Sequence, residues 1–126
     1  MRLLLDTHAL IWWLTNNSRL SATATQAIAD PVNWILVSSA SGYEIAYKQQ
    51  RGRLQQPLPY PLATVIHRAG FAPLEITVDH AEAAGHLPGP HRDPWDRLLI
   101  AQALSGGLIV VTVDPVFASY GVPILW

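Results

Sequence analysis

Residues 3–14 read LLLDTHALIWWL, and this stretch determines the fold that we predict for the chain. The three leucines before Asp6 would make a strand apolar on both of its faces, which is typical of a strand buried within a parallel sheet. Asp6 and Thr7 can cap a helix over residues 8–14, because side-chain oxygens accept hydrogen bonds from the free amide groups of a first turn. The chain therefore begins with a strand, a tight turn and a helix.

The same alternation continues along the chain. Short apolar runs predict strands, and apolar positions at helical spacing predict the helices between them. We predict further strands at residues 34–37, 74–76, 108–111 and 122–125, and further helices at 21–29, 42–51, 62–69, 78–85 and 95–104. Strands that alternate with helices form right-handed crossovers and a mainly parallel sheet. The sequence therefore predicts an α/β fold, with a single domain over residues 1–126.

Composition narrows the possible functions. The chain has 126 residues, half of them hydrophobic, and no cysteine, which excludes a thiolate zinc site and a cysteine nucleophile. The lack of cysteine suits a reducing cytoplasm, and no apolar run is long enough to cross a bilayer, so we expect a cytoplasmic protein without a membrane partner. The net charge is −1, so binding to nucleic acid needs a local basic patch or metal ions.

Four acidic residues follow predicted strands or open the next helix. They are Asp6, Glu44, Asp96 and Asp114. Because the carboxyl ends of parallel strands meet at one edge of a sheet, we expect these side chains to converge. Carboxylates in one pocket repel one another, so at least one should have a raised pKa unless a cation neutralises them. Hard oxygen ligands suit Mg²⁺ or Mn²⁺, and such ions promote phosphodiester hydrolysis by activating water and stabilising charge on the phosphate.

Helix capping is an alternative explanation for several acids. Asp114 precedes a proline, a pattern that is typical of a helix start. Asp93 also precedes a proline, and we assign it to capping. Glu44 follows Ser41 at the spacing of a capping box. Asp6 favours a functional role, because an acid after three buried leucines must find a donor, a cation or water.

Other catalytic patterns are missing from the sequence. It contains no HExxH zinc motif, no glycine-rich dinucleotide motif, no P-loop and no GxSxG serine motif. Two of the five histidines, His8 and His91, lie near the acids along the chain, so they are candidates for contact with a substrate.

Four segments carry a more specific pattern. They are LLLDTHALIWWL at residues 3–14, SGYEIAYK at 41–48 followed by RGRL at 51–54, HRDPWDRLLIAQA at 91–103, and VTVDPVF at 111–117. Together they resemble PIN-domain proteins of the VapC toxin group, in the expected order and over the whole chain. Family members often have tryptophan at the position of Tyr43, and a basic or small residue at the position of Val113. Neither position is a predicted ligand.

The resemblance implies a three-layer α/β/α sandwich, a homodimer, and an endoribonuclease that depends on Mg²⁺ or Mn²⁺ and is inhibited by a cognate antitoxin. It matches the acids of the family to Asp6, Glu44, Asp96 and Asp114. In this interpretation Asp6, Asp96 and Asp114 hold one or two metal ions, directly or through water. Glu44 binds metal or orients the attacking water. The resemblance does not identify the RNA, which differs among family members.

Two further groups of residues accompany the acids. Thr7, Ser38 and Thr112 lie beside them along the chain and can hold waters or steady carboxylates. The candidates for contact with the RNA backbone are Lys48, Arg51, Arg53, Arg92 and Arg97. These cations are equally well explained as ordinary solvated surface.

Two other functions are compatible with the same sequence features. A phospho-acceptor receiver-like domain also gathers acids around Mg²⁺, but it needs paired acids after the first strand and a lysine near the end of the chain. Here the acid after the first strand is single, and the only lysine is Lys48. A non-catalytic binding protein would use the fold to engage an antitoxin or another subunit, and its cellular effect would not depend on the acids.

Overall fold

The computed structural model describes all 126 residues of the chain. Its strands are β1 (Arg2–Leu5), β2 (Trp34–Ser38), β3 (Ala72–Leu74), β4 (Ile109–Val111) and β5 (Ile124–Leu125). Its helices are α1 (Thr7–Leu14), α2 (Ala22–Ala29), α3 (Ser39–Gln50), α4 (Leu62–Arg68), α5 (Val78–His86), α6 (Pro94–Gly106) and α7 (Val116–Ser119). No helix has the length and apolar character needed to span a membrane.

The five strands form one parallel sheet in the order β3-β2-β1-β4-β5. Leu5 at the end of β1 lies beside Val37 of β2 and Val111 of β4, so these strands end at nearly the same level. The chain adds strands outward from β1 to β3 and then returns to β4 on the other side. In open α/β sheets the functional crevice lies at such a reversal, beyond the carboxyl ends of the strands.

Alternate residues of the central strands pack into two separate hydrophobic clusters. Leu3 and Leu5 belong to a cluster with residues of α1, α2 and α4 on one face of the sheet. Leu4 belongs to a cluster with residues of α6 and α7 on the other face. Because both faces of β1 are covered, all three leucines are fully buried. The predicted three-layer α/β/α sandwich with a parallel sheet is confirmed.

Helix α6 has the boundary signals that the sequence predicts. The carboxylate of Asp93 accepts a hydrogen bond from the backbone amide of Asp96 at 3.0 Å, and Pro94 is the first residue of the helix. After the last turn, Gly107 has a φ of 61°, a left-handed conformation that glycine adopts without steric penalty. The predicted capping role of Asp93 is therefore confirmed, and the cap fixes the start of the helix that carries Asp96.

The predicted boundaries of three elements are wrong, and one of them is β5, which begins at Ile124 rather than at residue 122. Helix α3 begins at Ser39 rather than at residue 42, because the Ser38 hydroxyl caps it by accepting a hydrogen bond from the Ala40 amide at 3.0 Å. Strand β3 covers Ala72–Leu74 rather than residues 74–76. Proline has no amide hydrogen, so Pro73 disfavours a central strand. It is tolerated here because β3 lies at the edge of the sheet.

Candidate active site

The three central strands end at nearly the same level, and a polar residue lies at the carboxyl end of each. Asp6 follows β1, Ser38 ends β2 and Thr112 follows β4, and all three are buried. The backbone amide of Asp6 donates to the carbonyl of Val111 at 3.2 Å, so the pairing of β1 with β4 continues one residue beyond the strand. The sheet therefore fixes Asp6 at the reversal of strand order.

The four acids singled out in the sequence line one pocket of about 460 Å³ at this edge of the sheet. We call it the carboxylate pocket. Asp6 follows β1, Glu44 lies on α3, Asp96 lies in the first turn of α6, and Asp114 lies between β4 and α7. The remaining lining residues are Thr7, His8, Trp12, Arg19, Val113 and Pro115. The structure thus brings together side chains that are far apart along the chain, as a parallel sheet predicts.

Asp6 is only 6% exposed and uses both carboxylate oxygens within the protein. Oδ1 accepts a hydrogen bond from the Ala9 amide at 2.7 Å, which caps α1, and Oδ2 accepts one from the Thr112 hydroxyl at 2.5 Å. Burial raises the pKa of Asp6 above its ordinary value of 3.8, and the charge of Asp114 adds to this increase although the two hydrogen bonds oppose it. Burial removes water that would stabilise the ionised carboxylate, and a nearby cation would stabilise it instead.

Asp96 also titrates above its usual range. The pKa of Asp96 is raised from 3.8 to about 6, mainly by burial; the charges of Asp93 and Glu44 contribute to this increase, and the interaction with His91 opposes it. The Nε2 atom of His91 lies 3.0 Å from Oδ2 of Asp96. The prediction that at least one acid of the cluster has a raised pKa is confirmed for Asp6 and Asp96.

Glu44 is paired with Lys48 and does not cap a helix. The Nζ atom of Lys48, one turn further along α3, lies 2.5 Å from Oε2 of Glu44, which is 4% exposed. The capping box that was the alternative explanation for Glu44 does not form, because α3 begins before Ser41 and the Ser41 hydroxyl instead hydrogen-bonds with the Thr7 hydroxyl at 3.0 Å. The burial of Glu44 therefore has no explanation in helix capping.

Thr112 connects the acids at the ends of β1 and β4. Its hydroxyl donates to the Asp6 carboxylate and accepts a hydrogen bond from the Asp114 amide at 3.0 Å. The Oδ1 atom of Asp114 accepts a hydrogen bond from the amide of Val116, the first residue of α7, at 2.9 Å. The cap position of α7 is Pro115 and not Asp114, so the capping alternative for Asp114 is not confirmed; its side chain turns the chain just before α7 and also lines the carboxylate pocket.

Each carboxylate in the pocket has its own partner within the protein. No three acidic or histidine side chains are grouped closely enough to hold one ion directly. The carboxylates accept hydrogen bonds from separate donors, an arrangement that keeps like charges apart. A set of carboxylate oxygens nevertheless fits a hard divalent cation. An ion that keeps several of its waters, as Mg²⁺ usually does, suits this spacing better than a cage of direct ligands.

Of the three hydroxyl residues expected to support the acids, only Thr112 contacts a carboxylate. The Thr7 hydroxyl pairs with Ser41, and the Ser38 hydroxyl accepts the Ala40 amide. The expectation that Thr7 and Ser38 orient carboxylates is wrong. Buried hydroxyl groups need a hydrogen-bond partner, and these two find it in Ser41 and the Ala40 amide.

The predicted RNA-binding cations have different surroundings. Lys48 binds a carboxylate of the pocket, and the guanidinium of Arg51 lies 3.5 Å from the centre of a tyrosine ring. Arg53 and Arg92 are both exposed, and both lie on irregular segments. Arg97 is different, because its guanidinium donates hydrogen bonds to four backbone carbonyls between residues 84 and 91. Arg97 therefore holds this loop to α6 and is corrected from an RNA contact to a structural residue.

Replacing Arg97 by methionine should lower the free energy of unfolding by about 2–3 kcal/mol, because several carbonyls lose a charged donor while the aliphatic packing is kept. Urea denaturation of the purified protein measures this change. Arg92→Met is the matched control, since Arg92 makes no hydrogen bond within the protein, and it should change the free energy by less than about 0.5 kcal/mol. Equal effects of the two substitutions would contradict the structural role of Arg97.

Arg19 is a residue of the pocket that the sequence analysis missed. It lies in the loop between α1 and α2 and lines the carboxylate pocket. Its positive charge is opposite to that of the four acids in the pocket. No local pattern marks it, because it follows no strand and caps no helix. Its position just beyond the helix that carries His8 and Trp12 is the only signal in the sequence that relates it to the site.

Comparison with known proteins decides the family. A family model of the PIN domain matches residues 3–123 of this chain. The chain belongs to the PIN-domain family. Ribonuclease VapC22 of Mycobacterium tuberculosis is 32% identical to this PIN domain over 116 residues, which cover 88% of the chain and 85% of that relative. The resemblance noted in the sequence is thereby confirmed.

Solved structures share the fold of this PIN domain. The crystal structure of VapBC2 from Rickettsia felis bound to a promoter DNA fragment matches with a TM-score of 0.68 and 16% identity, over 98% of this chain and 97% of that one. DNA-bound VapBC from Salmonella typhimurium matches with a TM-score of 0.64 and 20% identity, over 98% and 96%. The receiver-like alternative fits less well, because receiver domains have the strand order 2-1-3-4-5 and this sheet does not.

Proposed function

We propose that this PIN-domain protein is an endoribonuclease that uses Mg²⁺ or Mn²⁺, and that it is the toxin of a toxin-antitoxin pair. The observation that carries the proposal is the convergence of Asp6, Glu44, Asp96 and Asp114 in one pocket at the carboxyl edge of the sheet. A ribonuclease among its relatives and VapBC complexes among structures of the same fold support it. Use of divalent metal ions is general in the family.

The side chains of the carboxylate pocket have separate tasks in this proposal. Asp6, Asp96 and Asp114 would hold the metal, and Glu44 would bind it or orient the attacking water. When bound, a divalent ion lowers the pKa of a water molecule and stabilises the charge that develops on the phosphate. Thr112 fixes the orientation of Asp6 by donating to one of its oxygens, and His91 does the same for Asp96. Both acids are thus held at the crevice before any substrate arrives.

An antitoxin partner suits the charge of this pocket. Four carboxylates in one cleft attract a cationic side chain, and the planar fork of an arginine can bridge two of them. We therefore propose that the cognate antitoxin inhibits this protein by placing an arginine in the carboxylate pocket. We also propose that the protein forms a homodimer, as its resemblance to the VapC toxin group implies.

Incubation of the purified protein with total cellular RNA tests the proposed function directly. Parallel reactions contain Mg²⁺, Mn²⁺ or EDTA, and mapping of the new RNA ends identifies the cut positions. We expect discrete cleavage with the metals and none with EDTA. Intact RNA in every reaction, with protein shown to be folded by circular dichroism, would overturn the proposal.

Thermal unfolding provides a second test that does not depend on activity. In EDTA, Asp6→Asn should melt at the same temperature as the wild type or higher, because asparagine avoids the cost of burying a charge and still caps a helix. Millimolar Mn²⁺ should raise the melting temperature of the wild type by mass action and have much less effect on the variant. A wild-type melting temperature that is unchanged by Mn²⁺ would count against the metal site.

The dependence of stability on pH has a definite sign in the metal-free protein. Because the folded-state pKa of Asp96 is about 6, above its ordinary 3.8, the folded state binds the proton more tightly than the unfolded state. The contribution of Asp96 to stability is therefore fully present at low pH and is lost as the pH rises from about 4 to about 6. Asp96→Asn should flatten this part of the curve of melting temperature against pH in EDTA.

A further inference from the structure

A second pocket, of about 280 Å³, opens beside the carboxylate pocket and differs from it in charge. We call it the flanking pocket. None of its lining residues is acidic, and its polar lining includes Asn17, Arg19, Lys48, Arg53, Gln55 and Gln56. Guanidinium and ammonium groups bind phosphate, and amide groups can both donate to and accept from the edge of a base.

The two pockets adjoin each other. His8, Trp12 and Arg19 line both of them, so they form the shared wall between the acids and the cations. Lys48 spans the same boundary, since it lines the flanking pocket while its ammonium binds Glu44. An extended ligand in the carboxylate pocket therefore has the flanking pocket as its direct neighbour.

The shared wall is held in place by the surrounding chain. The ring of Trp12 packs against those of His8 and Trp126, with centroids 5.8 Å apart in each pair. The backbone beyond α1 is fixed by Asn17, whose amide donates to the Trp12 carbonyl at 2.8 Å and whose side chain accepts the Arg19 amide at 2.9 Å. An aromatic wall of this kind offers a surface on which a nucleobase can stack.

The guanidinium of Arg19 is free while its backbone is fixed. It takes part in no hydrogen bond, ion pair or ring contact within the protein, although it borders four carboxylates that lie in the same pocket. Such a cation lowers the repulsion that these carboxylates exert on an approaching phosphate, because charges within the Debye length of about 10 Å act on one another. Arg19 thus suits a phosphate placed at the junction of the two pockets.

We propose that the flanking pocket binds one nucleotide of single-stranded RNA next to the phosphodiester that is cleaved, with Arg19 binding phosphate at the junction. This inference rests on the proposed ribonuclease function. Arg53 adds positive charge at the far side, Trp12 supports the base, and the amides of Gln55 and Gln56 contact its edge. The pocket therefore contributes to the choice of the sequence that is cut.

The proposal is tested with the full chain and its Arg19→Ala variant. Binding of a short, labelled single-stranded RNA of random sequence is measured by fluorescence anisotropy in EDTA, so that cleavage does not interfere. We expect Arg19→Ala to weaken binding about tenfold or more and to reduce the slope of log affinity against log salt by about 0.7, the loss of one phosphate contact. Arg2→Ala is the control for lost charge, because Arg2 lies at the amino end of β1 and the pockets lie beyond its carboxyl end. This variant should bind as the wild type does.

A second variant, with both Gln55→Ala and Gln56→Ala, tests recognition of the base. Mapping of cut sites in total RNA with Mn²⁺ should show a changed nucleotide preference at one position beside the cut, while the salt dependence of binding stays the same. Unchanged binding by Arg19→Ala together with unchanged cut sites in the double variant would overturn the flanking pocket. Competition by polyglutamate equal to that by RNA would also overturn it, since the pocket would then recognise charge alone.

Failure of the two proposals can be distinguished. If the wild type cleaves no RNA, the ribonuclease function fails, yet the anisotropy measurement still decides whether Arg19 contributes to RNA binding. If the wild type cleaves RNA and the variants match it in affinity and cut sites, only the flanking pocket fails.

Discussion

Replacing Asp96 by asparagine is expected to lower the rate of RNA cleavage by about two orders of magnitude or more, and Asp6→Asn should have the same effect. Loss of a metal ligand or of its charge removes several kcal/mol of transition-state stabilisation. Both side chains are held in the carboxylate pocket by neighbouring donors, so the asparagine should occupy the same place with a neutral group. The measurement is the initial rate of cleavage of a mapped RNA site in Mn²⁺.

Asp93→Asn is the matched control, because it removes the same charge three residues away in the same segment. Asp93 caps α6 through a hydrogen bond to the Asp96 amide, and asparagine caps a helix as well as aspartate does. We expect it to retain most of the wild-type rate. Equal losses at positions 93 and 96 would show that the charge of Asp93 also serves the reaction and that its assignment to capping alone is wrong.

Expression of the wild-type chain in bacteria without its antitoxin should arrest growth, and expression of Asp6→Asn should not. A toxin that acts by cutting RNA needs its carboxylates for its cellular effect, whereas a protein that acts by binding alone does not. Growth curves after induction, with immunoblots to confirm equal amounts of both proteins, measure the difference. This comparison separates the proposed function from the non-catalytic alternative.

Two results would remove the toxin interpretation. Equal toxicity of the two proteins would assign the effect to binding, and equal harmlessness would leave no toxin activity to explain. Arg2→Ala serves as the control for a charge change away from the pocket, since Arg2 lies at the amino end of β1 and donates to the Gly106 carbonyl at the far end of α6. It should arrest growth as the wild type does.

The sequence predicted the central strands and the long helix well because their signals are local and strong. The leucines before Asp6 are apolar on both faces, and the Asp93 cap and Gly107 stop mark α6 without help from the rest of the fold. Strand β3 was misplaced because its edge position, which makes Pro73 acceptable, is a property of the sheet and not of the local sequence.

The acids of the carboxylate pocket could be predicted because they follow strands whose carboxyl ends meet. Their partners could not, since hydrogen bonds such as that between Thr112 and Asp6 depend on packing of distant segments. The role of Arg97 shows the same limit. Its sequence pattern is that of a surface cation, and only the folded path of residues 84–91 reveals the carbonyls that it holds.

The hydrogen bond between Asp6 and Thr112 joins residues 106 positions apart, and Asp114 lies beyond Thr112. During synthesis, a chain that has emerged only through α6 has no β4 to pair with β1, so the carboxylate pocket lacks one of its walls and one of its acids. Incomplete chains, whether still on the ribosome or released early, therefore carry no assembled nuclease. We therefore expect a chain that ends before β4 to cleave no RNA.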